Sequence, residues 1–322
     1  MGSVVRCLAR LFALVGLAAV PAAAAPAPGL HFDVFARTGI RLTGIVWTGK
    51  QFLYVENTTN AIFAGDAKGG PLRPFAALPN MSEETRCVVS PGGHRFPAGQ
   101  IYCHVPDNRI FRISANGRTV RLFASLPTDE TSDGMLAFDT VGRFGYRLVA
   151  ATGRSGNATP AGGVVYTIGP GGGVKRVGRY AGPGGADQVA VAPTGFGVVA
   201  GWALLTVDPG AGSGTVVAIG PRGRTRTIAR LPDGPNPIVM VARRGRASAA
   251  AAGFYVTDTT TTNVYFASAA QLRRYTGDVL VGTELAARFF VLRPRGRDYE
   301  ALELSTDLPP ASYNLEGAAY VP

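Results

Sequence analysis

The sequence predicts an all-β protein, a six-bladed β-propeller whose ring is closed by its N- and C-terminal strands in the same blade. Three observations predict this fold. A hairpin of short alternating strands occurs six times, helical periodicity is almost absent, and the strand that should open the last repeat stands at the C-terminus. Four-stranded units repeated without helices are typical of propellers, which bury the faces of their blades by stacking them in a ring.

The N-terminal segment has the three parts of a secretory signal peptide. Two arginines form a basic start, an apolar run follows, and small residues reach Ala24. The apolar run is too short to span a bilayer. We therefore expect residues 1–24 to be removed and residues 25–322 to form a single propeller domain. The mature chain is expected to be secreted, extracytoplasmic and without a transmembrane span.

The six hairpins are rich in Val, Ile, Tyr and Phe, and Gly, Pro, Asn and Asp flank them, as is usual at the ends of strands. In chain order they are QFLYVEN with AIFAGDA, QIYCHVP with RIFRISA, YRLVAAT with VVYTIGP, FGVVAGW with TVVAIGP, GFYVTDT with NVYFASA, and GDVLVGT with RFFVLRP. A further run, often ending in Pro, follows most hairpins, and another apolar run precedes them. Each unit therefore has about four strands. Only ASAAQLRRY, residues 267–275, favours a short helix.

The two chain ends are expected to meet in one blade. Five hairpins follow a short apolar run, but the last one, GDVLVGT, has none before it, and NLEGAAYV at the C-terminus supplies the sixth. HFDVFAR, residues 31–37, resembles the outer strands but opens the chain. Closure by both ends removes an exposed sheet edge. Which strand pairs with which in the closing blade is left open by the sequence.

The chain is strongly basic, with a net charge of +11 from 32 basic and 21 acidic residues. Almost all the basic residues are arginines, and the densest groups, at 222–226, 243–246 and 293–297, lie beside Gly or Pro in predicted hairpin turns. No aromatic residues interleave with them, as base stacking would require. We therefore interpret these groups as solvated turns and expect no nucleic-acid partner.

Two cysteines remain after the predicted leader, Cys87 and Cys103, on two neighbouring predicted strands. If Ser90 faces Gln100 across the antiparallel pair, Cys87 faces Cys103. An exported chain with an even number of cysteines favours a disulfide. The alternative is two buried free thiols.

The residues that enter the six first strands form the candidate site, because the first strand of each propeller blade lines the central channel. If these residues share one layer, the carboxylates of Asp133, Asp187 and Glu316 repel one another. The repulsion is about 3 kcal/mol for a pair ~6 Å apart at an effective dielectric near 20. Raised pKa values, a basic partner such as Arg86, or a bound cation would relieve this repulsion. Oxygen ligands favour Ca²⁺ or another divalent cation such as Mg²⁺. The alternative is that these residues only form turns. In chain order the six are Thr43, Thr85, Asp133, Asp187, Asn236 and Glu316.

Two stretches carry a family resemblance. SDGMLAFD, with the order of hairpins, resembles the six-bladed propellers of the NHL-repeat type, and LEGAAYVP resembles the Leu-Glu-Gly strand of the regucalcin/gluconolactonase family. In that family such a Glu, with Asn and Asp from other blades, holds a divalent cation, and an Asp acts as base in lactone hydrolysis. The resemblance implies metal ligands at Glu316, Asn236, Asp187 and Asp133. This chain departs from the family in placing the Glu near its C-terminus and in following Asn236 with Pro.

Two functions from different classes follow from these observations. The first is a monomeric binding scaffold that uses a propeller face to bind a protein, a glycan or a small molecule, with a divalent-cation site at the channel mouth. The alternative is a metal-dependent lactonase-like hydrolase of the gluconolactonase type, in which Asp187 or Asp133 activates water. A sugar-dehydrogenase chemistry would need a histidine in the channel, and His104 is the one remote candidate.

Overall fold

The computed structural model describes residues 29–59, 61–79, 84–130, 132–153, 162–182, 184–210, 212–243, 248–308 and 314–322. The predicted signal peptide lies outside these residues. The described chain forms six four-stranded antiparallel sheets, which confirms the predicted propeller. In this part of the chain, no helix has the length and apolar character that a membrane crossing requires.

Blades 1 to 4 follow the chain in order, each from its inner to its outer strand. Blade 1 contains β2 (Leu42–Trp47), β3 (Phe52–Glu56), β4 (Ala61–Gly65) and β5 (Arg73–Ala77). Blade 2 contains β6 (Arg86–Val89), β7 (Ile101–His104), β8 (Arg109–Ile113) and β9 (Val120–Ser125). Blade 3 contains β10 (Leu136–Phe138), β11 (Leu148–Ala151), β12 (Gly163–Ile168) and β13 (Val174–Tyr180). Blade 4 contains β14 (Gly185–Val191), β15 (Ala203–Asp208), β16 (Gly214–Ile219) and β17 (Thr225–Leu231), with a 3-10 turn at Gly197–Val199.

Blades 5 and 6 are interlocked. Blade 5 contains β18 (Pro235–Met240), β21 (Val279–Thr283), β22 (Phe289–Arg295) and β23 (Asp298–Leu304). Blade 6 contains, from inside to outside, β24 (Leu315–Val321), β19 (Gly253–Asp258), β20 (Asn263–Ser268) and β1 (Asp33–Arg37). The chain thus leaves blade 5 after one strand, builds the central hairpin of blade 6, and returns. Both termini lie in blade 6, as predicted.

This crossing corrects one interpretation of the sequence. The sequence suggested that β24 precedes the final hairpin, but that hairpin, β21 and β22, pairs with β18. The C-terminal strand β24 pairs instead with the preceding hairpin, β19 and β20. The return to blade 5 runs through the expected short helix, α1 (Ala269–Leu272), and a 3-10 turn at Arg273–Tyr275. Leu272 and Tyr275 are buried in the apolar cluster between blades 5 and 6, and this burial anchors the crossing.

Neighbouring blades are held together by apolar clusters, one in each of the six interfaces. Within blade 2, Cys87 and Cys103 face each other and form a disulfide, as predicted.

The outer hairpin turns also contact the preceding blade. In the outer turn of blade 3, Gly172 has φ +83° and lies close to β9 of blade 2. A Cβ at this position would stand 2.4 Å from the Phe123 carbonyl oxygen. Gly69, Gly117 and Gly223 make the same kind of approach in three other blades.

The ring has two distinct faces. The first residues of the inner strands contact one another, so these strands all begin at one face, which we call the entry face. Because neighbouring strands are antiparallel, the second strands end there as well. The opposite face, which we call the exit face, carries the turns between first and second strands and between third and fourth strands.

Candidate active site and central cavity

The side chains at the entry face are aimed towards the axis by β-bulges. Four inner strands have one residue more than the strand beside them, and such an insertion redirects a side chain. The shift falls at Thr43, at Asp187, at Asn236 with Pro237, and at Glu316 with Gly317. The register inferred from the sequence therefore marks a real structural position, and all six predicted entry residues are buried.

Arg86 lies at the centre of the predicted ring. Its Nη2 donates to Glu84 Oε2 at 2.9 Å, to Glu316 Oε2 at 2.8 Å and to Asp187 Oδ1 at 3.2 Å, while Nη1 donates to the Thr43 carbonyl. Arg86 is 6% exposed, Asp187 1% and Glu316 3%. A single buried guanidinium is thus shared by carboxylates from blades 2, 4 and 6.

Two amides complete this group. Asn236 Nδ2 donates to Glu316 Oε2 at 2.9 Å, and Gln188 Nε2 donates to Asn236 Oδ1 at 3.1 Å and to the Glu316 carbonyl at 2.6 Å. Both ends of the Asn236 amide are therefore engaged by protein groups. We call Glu84, Arg86, Asp187, Gln188, Asn236 and Glu316 the axial cluster.

The axial cluster strongly perturbs its titratable groups. Burial, reinforced by the charge of Glu84, raises the pKa of Glu316 to about 8 even though Arg86 opposes the shift. The same two causes raise the pKa of Asp187 well above its ordinary value. Burial would lower the pKa of Arg86, but the carboxylates of Glu84, Glu316 and Asp187 outweigh it and raise that pKa. The repulsion between the buried carboxylates is thus reduced in two of the three ways that the sequence suggested, by a basic partner and by raised carboxyl pKa values.

A second carboxylate group adjoins the axial cluster through Asp187. Oxygens of Asp187, Asp208 and Glu284 lie within 4.8 Å of one another. Burial, then the charge of Glu316 and a bond to Asp208, raise the pKa of Glu284 to about 9. With its nitrogen turned towards the carboxylates, the Asn314 amide donates to Glu316 Oε1 at 2.7 Å and to Glu284 Oε1 at 3.2 Å, which links the two groups.

The fourth predicted ligand, Asp133, lies apart from both groups. Among the described residues, it belongs to neither of the carboxylate sets that could hold a metal. Its neighbour Gly134 has φ +73° and passes so close to blade 2 that a Cβ would stand 2.4 Å from the His104 carbonyl oxygen. The backbone that follows Asp133 is therefore left-handed and packed against blade 2, and a metal-binding or catalytic role of Asp133 stays a prediction.

The arrangement does not fit the cation cage implied by the family resemblance. Glu316 and Asp187 direct oxygens at the Arg86 guanidinium, and Asn236 Oδ1 accepts from Gln188 rather than facing an open position. The Arg86 guanidinium lies between the carboxylates of Glu84, Asp187 and Glu316. Asp187, Asp208 and Glu284 are the residues left to hold a metal, and their ligands are the oxygens that Ca²⁺ or Mg²⁺ prefers.

Asp208, Glu284 and Asn314 were not identified from the sequence. Asp208 ends the second strand of blade 4, and Glu284 directly follows that of blade 5. Since second strands end at the face where first strands begin, acidic residues at these positions were a usable signal. The same rule also selects Asp258, whose carboxylate only caps its own turn and the Asn314 backbone.

A cavity of about 640 Å³ extends along the axis from the axial cluster to the exit face. Arg86 and Gln188 lie at its inner end, and Pro91, Ala242 and Pro322, which follow the inner strands, lie at its mouth. Every blade contributes an apolar wall residue. These are Ile45, Val88, Leu136, Val189, Ile238 and Ala318.

No protein-family model matches this sequence, and no curated protein matches it either. The solved structures that are similar in fold include the following two. One, described as a proposed gluconolactonase, is 13% identical with a TM-score of 0.51, over 88% of this chain and 84% of the other. The second is the soluble aldose sugar dehydrogenase from Escherichia coli, 10% identical with a TM-score of 0.57, over 84% of this chain and 88% of the other.

At these identities the similarities show a shared fold and not a shared chemistry. His104, the one histidine considered for a dehydrogenase, is buried outside the wall of the cavity, and its Nδ1 lies 2.9 Å from the Met135 carbonyl oxygen. Burial lowers the pKa of His104 to about 4. The comparisons therefore identify the chain as a β-propeller similar in fold to the gluconolactonase and sugar dehydrogenase structures.

Proposed function

We propose that the protein is a binding propeller that takes a small, mainly apolar molecule into its central cavity. The observation that carries this proposal is the cavity of about 640 Å³ lined by apolar side chains from all six inner strands. Cavities that bind small molecules have this size, with mainly apolar walls and a few polar groups that fix orientation.

The inner end of the cavity indicates which part of the ligand is polar. Arg86 lines this end, and among the described residues its Nε has no hydrogen-bond partner. Because that Nε is enclosed by protein atoms, the ligand would instead face the guanidinium of Arg86 and the amide of Gln188, the polar groups that would fix its orientation. We therefore expect an apolar ligand with a hydrogen-bond acceptor at one end.

The binding function can be tested with the neutral fluorescent probe N-phenyl-1-naphthylamine. Ala190→Phe and Ala318→Phe place a ring on two separate walls of the cavity, in blade 4 and blade 6. Each is expected to weaken probe binding at least tenfold, whereas the control Ala77→Phe, on the exposed edge of β5, should leave it unchanged. Equal probe binding by all four proteins would contradict a cavity site.

A second candidate is a metal-dependent hydrolase that acts on lactones or esters. It is favoured by one observation, the convergence of Asp187, Asp208 and Glu284 at the entry face. These carboxylates would hold a divalent cation, which would polarise the substrate carbonyl. Of the two bases predicted from the sequence, Asp187 lies in this group and Asp133 does not.

Thermal unfolding separates the two candidates. The purified protein is melted with EDTA and then with Ca²⁺, Mg²⁺, Mn²⁺ or Zn²⁺. A cation at 100 times its dissociation constant stabilises the fold by about 2.7 kcal/mol. A stabilisation abolished by Glu284→Gln, together with lactone hydrolysis, would support the hydrolase. No shift with any of the four cations would eliminate it.

A further inference from the structure

The basic residues that are scattered along the sequence form a ring on the exit face. Turns between first and second strands and between third and fourth strands lie there, as does the connection from blade 6 back to blade 5. Blades 1 to 5 and this connection each contribute at least one exposed basic side chain. Arginine predominates, and a guanidinium matches the geometry of a phosphate with two parallel hydrogen bonds. The exposed members, in blades 1 to 5 and then in the connection from blade 6, are Lys50, Lys68, Arg95, Arg118, Arg143, Lys175, Arg222, Arg224, Arg243, Arg297, Arg273 and Arg274.

The acidic residues in the described turns of this face are already engaged. Asp66 and Asp139 accept hydrogen bonds from backbone N–H groups of their own turns. Asp278 pairs with Arg293, and Asp298, at the start of β23, pairs with Arg226. Asp66 and Asp139 keep their negative charges, but the twelve exposed basic side chains outnumber them, so the exit face is strongly positive. The carboxylates of the axial cluster and of Glu284 lie at the opposite face.

We propose that the exit face docks on the surface of an anionic phospholipid bilayer. The basic side chains surround the axis rather than following one groove, so they fit a two-dimensional array of phosphates better than a single linear polyanion. Each lysine or arginine near an anionic lipid surface strengthens binding by roughly fivefold, and the attraction falls with salt.

Apolar groups on the same face complement the charges. Val198 is 47% exposed and Tyr146 38% exposed, and both lie in turns between first and second strands. Trp47, Met240 and Tyr320 are half-buried around the mouth of the cavity. Interfacial amphipathic helices combine basic and apolar side chains in the same way, with the apolar groups entering the boundary between head groups and acyl chains.

Co-sedimentation with vesicles tests this proposal. Protein that begins at residue 25, as the predicted cleavage would leave it, is mixed with vesicles of phosphatidylcholine alone, or of phosphatidylcholine with phosphatidylglycerol, at low and at high NaCl. Binding is expected only with phosphatidylglycerol and is expected to fall with salt. Arg222→Glu with Arg224→Glu, in an exposed turn of blade 4, should weaken binding at least roughly tenfold. The matched control is Arg37→Glu with Arg41→Glu, which reverses the charge of two exposed arginines near the entry face and should have little effect.

Three results would overturn the proposal: equal binding to both kinds of vesicle, equal weakening by the blade 4 variant and the control with Arg37 and Arg41 replaced, or binding to a soluble polyanion such as heparin without binding to vesicles. Circular dichroism checks that each variant is folded. Ala190→Phe, which fills the cavity, should leave vesicle binding unchanged. Docking on the bilayer and binding in the cavity can therefore fail separately.

Discussion

Arg86 is the residue on which the centre of the propeller depends. Removing a guanidinium from water is costly, and the cost is recovered only if several acceptors surround it. Glu84, Asp187, Glu316 and the Thr43 carbonyl supply those acceptors from four blades. Lysine carries the same charge but not the planar fork, and it could not contact all of them at once.

Replacement of Arg86 with methionine tests this dependence. Arg86→Met fills a similar volume but leaves buried carboxylates without their counter-charge, so we expect the free energy of unfolding to fall by about 3–5 kcal/mol. Arg41→Met, at an exposed position, should change it by less than about 0.5 kcal/mol. Urea denaturation of both variants measures the difference, and equal losses would mean that Arg86 contributes no more than a surface residue.

Glu284 makes the stability depend on pH in a direction that can be derived. Its pKa is about 9 in the folded protein against an ordinary value of 4.5. Below about pH 4.5 both states hold the proton. As the pH rises towards 9, the unfolded chain releases the proton while the folded chain keeps it, so stability is lost across this window.

The variant Glu284→Gln removes this titration and keeps a donor for Asp208. In EDTA, the wild type should lose more free energy of unfolding between pH 5 and pH 9 than the variant does. Urea denaturation at the two pH values gives both differences. The same loss in the two proteins would mean that Glu284 titrates normally in the folded state.

At the scale of single elements, the sequence predicts strands better than side-chain roles. Alternation and turn residues located the hairpins, and alignment of the first strands located the bulged positions. Alignment could not separate Asp187, which contacts Arg86, from Asp133, which precedes a glycine with φ +73°. Both positions read as an acidic residue at the start of a strand, and only the packing between blades distinguishes them.

The outer turns provide a prediction about the contacts between blades. Gly172 and Gly49 both have positive φ, +83° and +88°, but a Cβ would meet the Phe123 carbonyl only at Gly172 and nothing within 4 Å at Gly49. Gly49→Ala should cost about 1–2 kcal/mol for its backbone conformation alone. Gly172→Ala should lower the free energy of unfolding by at least about 1 kcal/mol more than Gly49→Ala does, because blades 2 and 3 must move apart to make room for the Cβ. Thermal unfolding of both variants measures the costs, and equal values would mean that the interface yields freely.

At the scale of the whole molecule, the sequence predicts closure by both ends but not the path through the last two blades. Both possible pairings of the final hairpins satisfy the alternation of apolar residues, so local pattern gives no preference. The choice lies in contacts distant in sequence, such as the burial of Leu272 and Tyr275 between blades 5 and 6. For the same reason, the sequence does not show that the scattered basic residues share the exit face, because the face of each turn depends on the fold of the whole ring.

The C-terminal strand β24 should control folding of the entire ring. It is the inner strand of blade 6, packs between the inner strands β18 and β2, and buries Leu315 and Val321 completely. It also carries Glu316 to Arg86. A chain that ends before Asn314 would leave β19 as an exposed edge, open the wall of the cavity and remove one partner of the buried guanidinium.

We therefore expect this truncated protein to lack a cooperative thermal transition. A synthetic peptide of residues 314–322 should restore the transition when added in excess, and the same peptide with Glu316→Lys should not, because it would place a second cation beside Arg86. An unchanged melting temperature in the truncated protein would show that five inner strands suffice to close the propeller.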